Sequence, residues 1–524
     1  MNRPALRRLV PVVAVIAVLA GLYGLAGTGH PIALASGSAP PRAGSATVTT
    51  VTRACPAPGA GFNGGGGLSA LSSPGAGAGS AKHGQAATGQ AATGQAQVTR
   101  LAGAGSADAG HQLFSITQPG TARFEAVPTD HSRTPARAAK SAAHSVATTP
   151  LNGGVVVQAS GAMAQGLDVE QTAQGGLPTA DCASPRTDFW FVGPGRHSAG
   201  HIQLYLMNTG GQPAGADVDI STDAGPLQGI TDTGITVPPH GMVVQDLATA
   251  LANSRSMALH VRTSVGQVVA AVQESNGAGQ GSWLPASQPP ARHVIIPGLP
   301  ATTGTRALYV GVPGVKDANV KITAVTSRGS YEPTGAGGID IPGGSAVAIT
   351  LPSLSGIPGA IRLTTTQPVT ATAMASGGTQ GAPGVFTAAT PAIQQQGVVA
   401  GNLSGGGHVS SLVLTAPRGK DTVRVTEVPA GRAGGGQGRP HTKVVTVKPA
   451  HSVAVQLTAP AGSARGAPFG AVVTPLPGSG PLYVGRVISG IGTGAALLQI
   501  LPVPSALTQV PLPTVRDSPI TSAP

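Results

Sequence analysis

From about residue 150 onward the chain is a succession of short Val-, Ile- and Thr-rich segments in which apolar and polar residues alternate, cut by Gly and Pro. Alternation with a period of two places successive side chains on opposite faces, so it predicts β-strands with one buried face. The segments recur in the same order. Leu204 to Asn208, Leu308 to Pro313 and Leu412 to Pro417 open alike, at a constant step (308 − 204 = 412 − 308 = 104). Each opening is followed by an alternating strand in which Val218 and Ile220, Val320 and Ile322, or Val423 and Val425 would share the inward face. A Pro-marked hairpin comes next (Ile235 to Leu247, Ile339 to Leu351, Val445 to Leu457), then a two-strand unit beginning near Ala258, Ala360 and Ala471.

With the linking strands at Asp188 and His293 added, each repeat holds about seven strands in about 100 residues, the sequence signature of an immunoglobulin-like sandwich. A propeller blade of four strands in about 40–50 residues is the alternative. The expected fold is therefore all-β: tandem immunoglobulin-like β-sandwich repeats at 186–295, 296–400 and 401–500, after a degenerate partial module at 151–185 and before a Pro-rich tail at 501–524.

The front of the chain reads differently. Arg3, Arg7 and Arg8 precede an uncharged, mostly apolar run from Leu9 to about Gly27. That run is close to the roughly 20 residues that span a bilayer, and the arginines would keep the N-terminus in the cytoplasm. Residues 1–35 thus predict a membrane helix with an extracytoplasmic body. Ala33-Leu34-Ala35 also has the small-x-small form of a cleavage site, so a removed signal peptide and a secreted product stand as the alternative. Residues 36–150 carry low-complexity tracts such as the tandem GQAATGQAAT from Gly84. Such composition buries too little apolar surface to offset chain entropy, which predicts a largely disordered linker.

The formal charge is +12, but residues 1–150 hold 11 Arg/Lys against 3 Asp/Glu and residues 151–524 hold 20 against 16. The basic excess lies in the anchor and linker instead of on a folded face, and it is not interleaved with aromatics. A nucleic-acid reader is excluded on that pattern. The two cysteines, Cys55 and Cys182, form an even pair that would be oxidised outside the cytoplasm, with two unpaired thiols as the alternative.

Candidate chemistry is sparse. Trp190, within Asp188-Phe-Trp-Phe191, and Trp283 are either core anchors or a platform on which envelope glycans could stack. His197 and His201 have the i,i+4 spacing of helical metal ligands, but Gly and Pro surround them. Asp217 and Asp219 share a strand face and could meet Asp223 around calcium, or could simply face solvent. No nucleophile elbow, zincin helix or phosphate-binding loop is present in the predicted folded region, so no catalytic residue, metal site or cofactor is expected.

The order of these features has a precedent. An N-terminal anchor, Cys55-Pro-Ala-Pro58, Cys182 followed by Asp188-Phe-Trp-Phe191, the Ile-x-Val-Pro hairpins and Trp283-Leu-Pro together resemble the actinobacterial secreted proteins of domain-of-unknown-function family 5719. The resemblance implies an envelope-associated protein and a Cys55–Cys182 pairing, and it brings no activity. The expected function is that of an exported, non-enzymatic structural or interaction protein of the cell envelope. It would be held to the membrane by its N-terminal helix, with envelope polymers or other envelope proteins as partners. Glycan binding is the alternative, and a hydrolase with dispersed residues ranks third. Modules stacked in a row would make a stalk. A closed propeller would instead direct attention to a central channel.

Overall fold

Alternation and Gly/Pro punctuation yield strands. The computed structural model describes residues 44–56, 67–73, 94–100, 102–103, 111–116, 145–147 and 154–512 apart from 173–177, 198, 228–233, 276–280, 303, 353, 355, 378–383, 430–438, 464–465, 467 and 492–495. Among the described residues there is no α-helix, only a short 3-10 turn at Gly161–Ala164. The anchor or signal expected within residues 1–35 lies outside them. Of the described residues, 44–46 and 511–512 fall in one unit, in which Leu512 N donates to Gly44 O at 2.7 Å. Thr47–Val510 is the other unit and holds everything that follows.

That unit contains four sets of strands. The first comprises Thr50–Cys55, Gly67–Leu71, Gly94–Arg100, His111–Ile116, Ser145–Ala147, Val155–Ser160, Asp168–Thr172 and Pro178–Asp181. The second comprises Asp188–Pro194, His201–Met207, Ala214–Thr222, Ile235–Val237, Gly241–Asp246, Ser256–Val265, Val269–Ser275 and Gly281–Leu284. The third runs through Ala291–Leu299, Arg306–Gly311, Ala318–Thr326, Ile339–Ile341 and Ala346–Thr350. Its sixth and seventh strands are one continuous strand, Gly359–Ser376, before Gly384–Ala388. The fourth comprises Gly397–Asn402, His408–Ala416, Asp421–Val428, His441–Val447, His451–Leu457, Phe469–Pro475, Tyr483–Ile491 and Ala496–Pro502.

In every set the pairing is the same. One sheet has the order first–sixth–third–fourth and the other eighth–seventh–second–fifth, all antiparallel. The eighth strand, for example Gly281–Leu284, is the one that a count of about seven leaves out.

Within a set the two sheets bury a shared core. Val218, Ile220 and Leu259 meet Leu204, Leu206 and Val272 in the second set. Val320, Ile322 and Leu363 meet Leu308, Val310 and Ala373 in the third, and Val423, Val425 and Ala471 meet Leu412, Leu414 and Val484 in the fourth. Leu204, Leu308 and Leu412 are fully buried at one station, between the fifth and seventh strands of their sheets. Each such side chain contributes roughly 1.5–3 kcal/mol. A one-residue slip would turn its strand's core face outward, so the alternation fixes the register.

The first set corrects the expected layout. Its first five strands come from within 36–150, the span predicted to be linker, and 151–185 supplies its last three instead of a fragment. Gly94–Arg100 and Thr50–Cys55 pair on either side of the apolar strand Val155–Ser160, so the pairing, not the composition of the Gly/Ala/Gln-rich tract, makes the strand. Cys55 and Cys182 form a disulfide (Cα–Cα 4.5 Å) buried in this core beside Leu68, Val157 and Val169.

The sets pack head to tail. The outer face of the first–sixth–third sheet of one set lies on the outer face of the seventh–second sheet of the next. Ala54 and Val156 meet Tyr205, Met207 and Trp283 at the seam between sets one and two. Tyr309 and Phe386 join the second set's core cluster at the next seam. Ile295, Val325 and Ala360 pack with Tyr483 at the third, where a Cβ on Gly485 would lie 2.4 Å from the Gly298 Cα. The fourth set then reaches back: Val398, Ala400, Val428 and Val472 cover Leu71 of the first. The contacts close into a ring, not a row. The short eighth strands contact one another from set to set, and Ala180, Ser282 and Val385 on them are buried.

Candidate functional site

The four seams occupy the same stations, and one of them is chemically different. On the seventh and eighth strands, register aligns Asp168, Glu170 and Asp181 of the first set with Ala271, Gln273 and Trp283 of the second. The same stations hold Thr372, Met374 and Phe386 in the third set and Gly485, Val487 and Ile500 in the fourth. Where the other seams place uncharged and mostly apolar residues, the closing seam holds three carboxylates, of which Asp168 and Glu170 are buried and Asp181 half-buried. Asp168 and Glu170 alternate with Val169, which belongs to the core, so they point outward against the fourth set.

The fourth set supplies the partners. Its first strand pairs with the sixth up to Val399 and again at Asn402, and the irregularity between frees Ala400 N from the ladder. That amide donates to Asp168 Oδ2 at 2.9 Å and to Glu170 Oε1 at 3.0 Å. Arg486 sits on the inward face of its strand, two residues from the core residue Val484, and is 1% exposed. Its Nη1 donates to both Glu170 oxygens at 2.7 and 2.9 Å and to Gly401 O at 2.8 Å. From the first set, Arg53 Nη2 donates to Leu167 O at 3.0 Å and Nη1 to Ser184 Oγ.

One carboxylate oxygen from each of Asp168, Glu170 and Asp181 lies within 4.8 Å of the other two. Burial, with Glu170 and Asp181 adding repulsion, holds the Asp168 carboxyl well above its usual range. Burial and the Glu170 charge push Asp181 up to about 7 against the pull of Arg486 and Arg53. Three carboxylates at this separation are a candidate cation site. Calcium, however, takes six to eight oxygens and magnesium keeps waters. Here both Glu170 oxygens are taken by Arg486, and the gap between Glu170, Asp181, Arg486 and Val398 admits no water-sized sphere. The closed seam therefore fits protons and a guanidinium, and does not fit a hydrated divalent ion or an organic substrate.

The residues singled out in the sequence lie elsewhere. Phe189 and Phe191 face the core at 2% and 1% exposure, so strand alternation turns Trp190 outward. Trp190 is half-buried and stacks on His260 (centroids 3.7 Å apart), whose Nε2 lies 2.7 Å from Asp188 Oδ2. Trp283 is buried at the seam between sets one and two and packs edge-on against Tyr205. Neither tryptophan forms a shared platform with the other. His197 is in a turn and His201 starts a strand, both exposed. Asp217 accepts Gly234 N, Asp219 pairs with Arg262 and Asp223 accepts Arg255 N, so the three aspartates do not converge. The acid cluster went unseen because Asp168 and Glu170, in an alternating strand, have the pattern of a solvated face. The one local signal was the excess of acid at stations that are uncharged in the other repeats.

A family model describing a family of unknown function matches residues 136–458, more than half of the chain. The chain belongs to that family, DUF5719. The matched span takes in the last strands of the first set, including all three seam carboxylates, the whole of the second and third sets, and most of the fourth. It stops short of Arg486, so the DUF5719 match covers the acid half of the closing seam and not its guanidinium. No curated protein and no solved structure matches the chain.

Proposed function

We propose that this DUF5719 protein is an exported, non-enzymatic structural or interaction protein of the cell envelope, held to the membrane by its N-terminal segment and built from four immunoglobulin-like sandwiches. The observation that carries the reading is the buried Cys55–Cys182 disulfide. Disulfides persist in oxidising compartments and are rare in the cytosol. The apolar run after Arg8 supports the same placement. The chemistry of the closing seam favours a structural role there, since Arg486 and Ala400 N saturate Glu170 and the gap excludes a substrate. Alkaline phosphatase fused after residue 512 should be active in cells, and non-reducing peptide mapping should recover Cys55 joined to Cys182. An inactive fusion together with two free thiols would overturn the reading.

Glycan binding is the second reading, favoured by the outward, half-buried Trp190 on its His260 support. Loss of envelope-glycan binding in Trp190→Ala, with the melting temperature unchanged, would select it.

A further inference from the structure

The closing seam holds an odd charge. Asp168 and Glu170 from the seventh strand and Asp181 from the eighth are three carboxylates. The cations facing them are Arg486 from the fourth set and Arg53 from the first strand; Arg186, in the following link, faces Arg53 and Asp188. Three acids, two of them buried and Asp181 half-buried, against two guanidiniums leave one negative charge at the seam without a counterpart, and an unpaired charge taken out of water is costly. Their geometry is a second mark: one oxygen of each carboxyl lies within 4.8 Å of the others, and Ala400 N bonds both Asp168 Oδ2 and Glu170 Oε1, so three full negative charges at this spacing would repel one another.

We propose that the contact between the first and fourth sets is a proton-operated latch. It is closed while a proton is retained among Asp168, Glu170 and Asp181, and it loosens as that proton is lost. The other seams carry Gln273, Met374 or Val487 at the Glu170 station; at the seam between sets two and three the buried Glu274, raised to about 7 by burial, also acts on Tyr309, so the seam between sets three and four is the control. A carboxyl whose value in the closed seam lies above its value in the open chain binds its proton more tightly when closed. Closure is therefore strongest below the ordinary carboxylate value of 3.8 and weakens as pH rises through about 7, where Asp181 titrates. Raised Asp168 moves in the same direction.

The latch is independent of whether the protein is exported, and its test uses the full chain. Amide hydrogen exchange, corrected for the intrinsic pH dependence, would be followed at Ala400, which donates across the closing seam, and at Ile393, in the link between sets three and four, which donates to Leu482 O at 2.8 Å. From pH 5 to 8.5 the protection of Ala400 should fall at least ten-fold while that of Ile393 holds. In Asp181→Asn, and in Asp168→Asn should the first variant fold poorly, the fall at Ala400 should shrink to under about three-fold. Equal loss at both amides, or no loss at Ala400, would overturn the proposal. So would recovery of Ala400 protection at pH 8.5 on adding 1 mM calcium chloride, which would make the cluster a cation site.

Discussion

The seam between the second and third sets and the seam between the fourth and first do the same geometric job with opposite chemistry. At the former, Tyr309, Met374 and Phe386 join the cluster that holds Val192 and Ala258, and the backbone approaches so closely that a Cβ on Gly311 would sit 2.8 Å from the Ala258 Cβ. Dispersion and apolar burial dominate there, with neutral hydrogen bonds such as Ser256 Oγ to Ala346 O at 2.8 Å beside them. At the latter, Leu71 and Ala400 keep an apolar margin, but the centre is Asp168, Glu170, Asp181 and Arg486. Ser69 Oγ and Arg486 Nη2 are buried in this region without a partner. Such a centre contributes little net stability and depends on every member being present, because the desolvation of its charges is large. The difference teaches that a ring made of one repeated contact can be fastened by apolar packing at three seams and be made conditional at the fourth.

The largest expected effect comes from breaking the charged seam halfway. Arg486→Met leaves Glu170 buried without its guanidinium and should cost about 3–5 kcal/mol in chemical denaturation. Rebuilding the seam on the apolar pattern, with Asp168→Thr, Glu170→Met, Asp181→Phe and Arg486→Leu together, should instead be neutral or stabilising by up to about 3 kcal/mol. It should also flatten the dependence of melting temperature on pH. A large loss in this quadruple variant would show that the charged centre is not exchangeable with its apolar counterparts.

The disulfide sharpens the comparison from the other side of the first set. Cys55→Ala with Cys182→Ala should cost about 2–4 kcal/mol and loosen the seam to the second set first, because Ala54 N bonds Ala183 O at 2.8 Å there. A smaller effect is expected at Glu427, a buried carboxylate of the fourth set. Burial raises it, but hydrogen bonds from Lys443, His441 and Thr458 N outweigh that and hold it below its ordinary value. The sign is opposite to the latch: stability from Glu427 is present above the unfolded carboxylate value and is lost as pH falls through the folded one. Lys443→Met should cost about 1–2 kcal/mol near neutrality and less in acid, measured by thermal melts across pH.

Much of the strand register was legible because it depends on local alternation. Leu204, Leu308 and Leu412 needed only the period of two and the constant spacing. The first five strands were not legible, since a segment such as Gly94–Arg100 becomes a strand by pairing with Val155–Ser160 and not through its own composition. Ring closure was hidden for a related reason. The strand Asp168–Thr172 is buried on both faces, and nothing near it in sequence records that the fourth set covers its outer side. Arg486 likewise reads as a surface residue among Gly and Val, although it is buried. The two readings of Trp190 separate only in the strand, where Phe189 and Phe191 take the core face and alternation sends Trp190 outward.

The claim on which the account turns is that the first and fourth sets are in energetic contact through Glu170 and Arg486, residues 316 apart in the chain. A double-mutant cycle on the full chain, with Glu170→Gln, Arg486→Met and both together, measures that contact directly. The account predicts that the double variant is less destabilised than the sum of the singles, with a coupling of about 2–3 kcal/mol at pH 6. Additivity within about 0.5 kcal/mol would mean that the two residues do not meet, and that the ring is not closed.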